Sequence, residues 1–107
     1  MKITEEQIDR ALIVLKNEIM TQMAPEAKSN ESFASTHEAL GTINVEVHEL
    51  IEAIHRRNGL WILSETTDVA VASTFFIACL LAGAIEVNDQ HMIEEHYKNN
   101  RSEEKVQ

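Results

Sequence analysis

Val69 to Ile85 reads VAVASTFFIACLLAGAI, and none of these 17 residues is charged. The run reads as a helix that is apolar on every face and must therefore be covered all round. Two or three neighbouring helices within a 107-residue chain can hardly do that, which points to an oligomer whose interface uses this helix. Three Gly and one Pro are too few for a many-turned β-sandwich, which needs a turn about every 8–12 residues. The expected class is all-α. The same run is at the short limit for a membrane span. Ser73, Thr74, Gly83 and five alanines weaken its hydropathy, and no Lys or Arg cluster flanks it to set an orientation, so no membrane partner is expected.

Working outward, Glu65 and Asp68 are the only charges between Arg57 and Glu86. Upstream, Ser35 with Glu38 offers a capping box for a second helix running to about Arg57. Its core-facing stripe is Leu40, Ile43, Val47, Leu50, Ile51 and Ile54, and Arg56–Arg57–Asn58–Gly59 is a C-terminal signal. Thr4 with Gln7 makes another capping box, with Ile3 and Ile8 as a staple, for a first helix. Its stripe is Ile8, Leu12, Leu15, Ile19 and Met23, and Pro25 ends it. Residues 24–34 read as a loop. A shorter fourth helix is expected at about Asp89–Asn99. One domain over residues 1–100 and a polar tail at 101–107 complete the organisation.

The formal charge of −9 repels phosphate backbones, so no nucleic-acid partner is expected. A small anionic substrate then needs a local positive charge, for which a metal ion is the obvious source. The single cysteine, Cys79, lies in the apolar run, and no basic region leads into an apolar stretch at the N-terminus. Both fit a reducing, cytoplasmic setting.

Glu46 and Glu49 are three apart on the second helix and share a face, and Glu65 and Asp68 repeat the spacing on the third. The two pairs are equally far from residue 57, so an antiparallel hairpin turning there brings them level. That alignment requires helical or back-folded structure already at Leu60–Leu63. Four oxygen donors from two helices suit a hard cation such as Mg²⁺. Two plainer explanations stand beside this one. Ser64 as an N-cap would make Glu65 and Asp68 first-turn acids that favour the helix dipole. Glu46 and Glu49, with Glu38 and Glu52, would form a solvated face; Glu49 lies about 160° from the centre of the apolar stripe.

Glu46-Val-His-Glu49, fifteen residues, then Glu65-Thr-Thr-Asp68 resembles the ExxE…ExxD signature of the MazG-like all-α nucleoside triphosphate pyrophosphohydrolases. Glu49-Leu-Ile-Glu-Ala-Ile54 and Glu65-Thr-Thr-Asp68-Val-Ala resemble the residues around it. His37-Glu38-Ala-Leu-Gly41 is similar to the short single-domain members. The likeness spans about residues 33–85. It implies a helical bundle of three long helices and a shorter C-terminal one, its four-helix arrangement completed in a homodimer or homotetramer. It also implies hydrolysis of a (deoxy)nucleoside triphosphate to the monophosphate and pyrophosphate, as in nucleotide-pool house-cleaning. Glu46, Glu49, Glu65 and Asp68 would ligate Mg²⁺, with Mn²⁺ as a substitute. Glu49 is the preferred acceptor of the attacking water's proton. Phosphate-contacting basic residues of the family are matched only loosely, by Lys98 and Arg101. Base recognition falls to the first helix and the loop, where Asn30, Phe33, His37 and Trp61 are available. Trp61 reads more simply as a core or interface residue.

One departure is Val45, where many members carry a second acid beside Glu46. It supports the rival reading of an inactive association or nucleotide-sensing module of the same fold. A di-iron bundle is a third idea, but it needs two Glu-x-x-His motifs and only Glu52-x-x-His55 occurs.

Overall fold

A computed structural model describes residues 1–22 and 31–102, the last three by their backbone alone. Four helices follow in chain order: α1 Glu5–Gln22, α2 Thr36–His55, α3 Gly59–Leu81 and α4 Gln90–Ser102. Among the described residues there is no strand. The class is all-α, with three long helices of 18, 20 and 23 residues and a fourth of 13. The fourth helix passes the expected boundary at residue 100. Met23, Pro25 and Asn30 lie outside the described residues.

The expected caps form locally. Thr4 N–H donates to Gln7 Oε1 at 2.9 Å and Gln7 N–H donates back to Thr4 Oγ1 at 3.2 Å, a reciprocal capping box. Ser35, in extended backbone, accepts from Glu38 N–H at 3.1 Å and starts α2.

Between α2 and α3 the chain reverses in three residues. Arg57 takes a left-handed conformation at φ 55°, unusual for a residue with a side chain, and its N–H donates to the Ile54 carbonyl at 3.1 Å. Asn58 then caps α3, its Oδ1 accepting from Trp61 N–H at 3.0 Å. The Asn58–Gly59 pair thus serves as the start of the next helix as well as the stop after α2. This corrects the helix boundary: α3 opens ten residues before Val69. Its far end closes in a Schellman motif, with Gly83 at φ 71°, Gly83 N–H on Leu80 O and Ala84 N–H on Cys79 O, four residues short of the expected Ile85.

The contact face of α2 is also a correction. Its fully buried residues are Ala39 and Ala53, both at 0% exposure, while the expected stripe residues Leu40, Ile51 and Ile54 are exposed. Ala39, Ile43, Glu46, Leu50 and Ala53 alternate at four- and three-residue steps, the seam of a left-handed helix pair. Glu65, Asp68, Ala72, Phe75 and Cys79 do the same on α3. At 100° per residue, the α2 seam is rotated by roughly 70° from the centre of its apolar stripe. Small residues win the seam because they let the backbones approach. Leu40, Ile51 and Ile54 are displaced to its flank, while Ile43 and Leu50 of the expected stripe stay in it.

Helix α3 packs along α2, and α1 and α4 each lean on α3. Four of its five hydroxyls are satisfied within the helix: Thr66, Thr67, Ser73 and Thr74 each donate to the carbonyl four residues back, at 2.7–2.9 Å. By length and composition α3 is long and apolar enough to cross a membrane, with a mean hydropathy of 1.3 over its best window. Only six described residues are buried: Ala39, Ala53, Val71, Ala72, Cys79 and Ile85. Leu60, Leu63 and Ile77 of α3 and Ile8, Leu12 and Ile13 of α1 remain exposed.

If alanines set the α2–α3 distance, Ala53→Leu forces the helices apart. We expect a loss of about 1–3 kcal/mol, typical of overpacking. That corresponds to a fall of several degrees in the thermal midpoint, followed by circular dichroism, at roughly 4–8 °C per kcal/mol for a domain of this size. An unchanged midpoint would show that the seam has slack.

Candidate metal centre

Glu46 occupies the α2 seam and Glu49 lies one turn on at its edge; Glu65 and Asp68 occupy the α3 seam. The turn at Arg56–Asn58 places 46 level with 68 and 49 level with 65. One carboxylate oxygen from each of the four lies within 4.8 Å of all the others. The rotation of the α2 seam is what recruits Glu49: roughly 160° from the stripe centre, it is only about 80° from the face that meets α3. The first-turn explanation does not apply to the other pair. With Asn58 as the cap, Glu65 and Asp68 fall in the second and third turns of α3, beyond the reach of the N-terminal dipole.

Glu46, Glu65 and Asp68 are half-buried and Glu49 is exposed. Glu65 Oε1 accepts the indole N–H of Trp61 at 3.0 Å, and Glu65 Oε2 is buried with no hydrogen-bond partner. A buried, unsatisfied carboxylate oxygen is costly unless a cation or donor meets it. Among the described residues none of the four acids forms an ion pair; the exposed Arg10–Glu6 pair on α1 lies elsewhere. Burial, then repulsion from Glu49, Asp68 and Glu65, pushes the Glu46 carboxyl above its ordinary range. Glu49 is raised chiefly because its protonated form can hydrogen-bond to Glu65. Asp68 is raised by burial and by the charges of Glu65 and Glu18. Burial and hydrogen bonding are the larger causes of these shifts, and the like charges of the cluster add to each.

The residues fit a divalent cation. Oxygens around Mg²⁺ at about 2.0–2.1 Å are at most about 4.2 Å apart, and those around Ca²⁺ up to about 5.2 Å. The 4.8 Å spread of the quartet falls inside the second range and about half an ångström outside the first, so an ion the size of Mg²⁺ would need the carboxylates to draw in. All donors are hard oxygens, without His or Cys.

Besides a small cavity that Asp68 shares with Glu18, Leu60 and Leu63, two cavities flank the quartet. One, about 330 Å³, has Glu46 and Asp68 at its edge and is lined by Phe33, Val71, Ala72 and Phe75, with Gln22, Glu31 and Thr42 as polar neighbours. Phe33 meets Phe75 edge to face, with ring centroids 5.3 Å apart. The other, about 730 Å³ and shallow, has Glu49 and Glu65 at its edge with His48, His55 and Trp61. Of the residues expected to meet substrate, Phe33 and Trp61 therefore adjoin the quartet. His37 is exposed in the first turn of α2 and Lys98 is exposed on α4; neither lines either cavity. The Arg101 side chain lies outside the described residues. The sequence reading overlooked Glu18, which brings a fifth negative charge beside Asp68. Its position one turn after Leu15 on the stripe of α1 was the available signal.

No protein-family model, curated protein or solved structure matches the chain.

Raised folded-state values mean that protonation favours the fold. Above the folded values all three acids are ionised in both states, and the fold bears their repulsion in full. Below the ordinary 4.5 of glutamate and 3.8 of aspartate they are neutral in both states, and the repulsion is gone. In EDTA, Asp68→Asn should therefore melt higher than wild type at neutral pH. The difference should shrink as the pH falls toward 4. A wild-type protein equally or more stable than the variant at pH 7 would contradict the clustered geometry.

Proposed function

We propose that the protein is a divalent-cation-dependent pyrophosphohydrolase of (deoxy)nucleoside triphosphates, built as a MazG-like helical bundle. The observation that carries this reading is the convergence of Glu46, Glu49, Glu65 and Asp68 from two antiparallel helices, with Glu65 Oε2 left without a partner. Mg²⁺ or Mn²⁺ would be held by these four. When bound, such an ion neutralises phosphate oxygens and lowers the pKa of bound water.

The chain's own residues account for the remaining requirements. A protein of charge −9 repels a triphosphate, so the substrate approaches productively only where acids have gathered cations. The cavity beside Glu46 and Asp68 has an aromatic and aliphatic wall with Glu31 at its rim and, among the described residues, no lysine or arginine, which suits the nucleoside end better than the phosphates. Phe33 and Phe75 offer ring surface there. Glu49, exposed and with a raised pKa, is the member of the quartet best suited to take the proton of an attacking water.

A homo-oligomer belongs to the same proposal. The exposed aliphatics of α1 and α3, and the Leu40, Ile51 and Ile54 flank of α2, are what a second copy would cover. Light scattering coupled to size exclusion should give a mass of at least twice the 12.1 kDa chain. A monomer at micromolar concentration would remove this part of the reading.

Activity is tested with a panel of ribo- and deoxynucleoside triphosphates, following pyrophosphate release with Mg²⁺, with Mn²⁺ and with EDTA. We expect turnover with metal only. Asp68→Asn should lose more than the roughly 10–100-fold seen when outer partners of a metal site are removed. Equal backgrounds for wild type and Asp68→Asn would favour the inactive association module instead, in line with Val45 beside Glu46.

A further inference from the structure

Trp61 is the only tryptophan of the chain and lies one turn ahead of Glu65 on α3. Its backbone N–H is received by the Asn58 cap at 3.0 Å, and the Arg56 guanidinium carbon stands 5.7 Å from the ring centroid. Its Nε1–H is fixed on Glu65 Oε1 at 3.0 Å. The indole is thus held at its backbone, its face and its edge. An indole N–H can only donate, so its partner oxygen must be one that accepts. Of the two Glu65 oxygens this bond occupies one and leaves the other, Oε2, buried and unpartnered. A phenylalanine would fill similar space without making that choice.

We propose that Trp61 is a positioning residue of the cation site. Its Nε1–H holds the Glu65 carboxylate in a single orientation, so that Oε2 is the oxygen offered to the ion. This rests on the quartet being a cation site. A free glutamate side chain must be ordered when it binds an ion; one already clamped by a neighbour is ordered beforehand, which raises affinity.

The test uses the full-length chain and Mg²⁺ alone. Calorimetric titration of Trp61→Phe should show a dissociation constant about 10–100-fold weaker than wild type. The melting midpoint in EDTA should stay near that of wild type, whereas a merely structural tryptophan would shift the midpoint and not the affinity. In wild type, Mg²⁺ should also produce a saturable change in Trp61 emission, since its hydrogen-bond partner becomes a ligand. Glu65→Gln should abolish that change. If Trp61→Phe does not fold, the emission titration decides alone: a signal unmoved at saturating Mg²⁺ overturns the proposal. Equal affinity of wild type and Trp61→Phe overturns the role of Trp61 and leaves the cation site standing. If wild type binds no Mg²⁺ at all, both fall.

Discussion

Four like charges are held together by the register of one helical hairpin. The three-residue reversal at Arg56–Asn58 fixes that register, and the pairing of the acids follows from it: 46 opposite 68, 49 opposite 65, with alanines at 39, 53 and 72 drawing the backbones close. An insertion in this turn would slide one acidic pair past the other while leaving both helices intact. The left-handed Arg57 and the Asn58 cap are therefore as much a part of the site as the carboxylates.

The seam explains why a cluster that opposes folding can persist. Glu46, Glu65 and Asp68 occupy positions where a helix pair ordinarily puts apolar residues. Their mutual repulsion is offset by the alanines, Cys79 and the phenylalanines packed further along α2 and α3, not by local ion pairs. Buried polar groups without partners lower stability. A sequence that keeps three acids in its tightest seam carries a strain that a cation would relieve. Burial raises the proton affinity of Glu46 and Asp68, and a hydrogen bond to Glu65 that of Glu49; mutual repulsion adds to each, and that added part also favours a small positive ion, because protons and metal ions compete for the same lone pairs.

How much of this could be read from the chain depends on whether the signal is local. Helix caps at Thr4 and Ser35 are local hydrogen-bonding choices and are plain in the sequence. The quartet was legible too, because i, i+3 spacing and equal distance from a turn are arithmetic. The face of α2 was not. Hydrophobicity alone centres it on Leu40, Ile51 and Ile54, but the partner helix selects for close approach, and alanine carries little weight in a hydrophobic stripe. Asn58 was misleading because a stop after one helix and a cap for the next use the same residue types. The Trp61–Glu65 bond and the approach of Glu18 to Asp68 depend on side-chain directions and on the seat of α1, which spacing does not encode.

The exposed apolar residues and the acidic site have one origin. A helix apolar on all faces can place two acids in a seam only if the rest of its circumference provides enough burial to keep it folded. In one copy of the chain that burial is incomplete, with Leu60, Leu63 and Ile77 left on the surface of α3. Leu63 and Ile62 flank the turn that carries Glu65, so whatever covers this part of α3 also governs how far water reaches the quartet. Water screens charge, and a quartet more deeply enclosed would repel itself more strongly and hold a cation more tightly. If a second copy covers this face and the quartet holds an ion, as proposed, association and ion binding reinforce one another through the dielectric around four oxygens, without any residue of the second copy having to touch the ion.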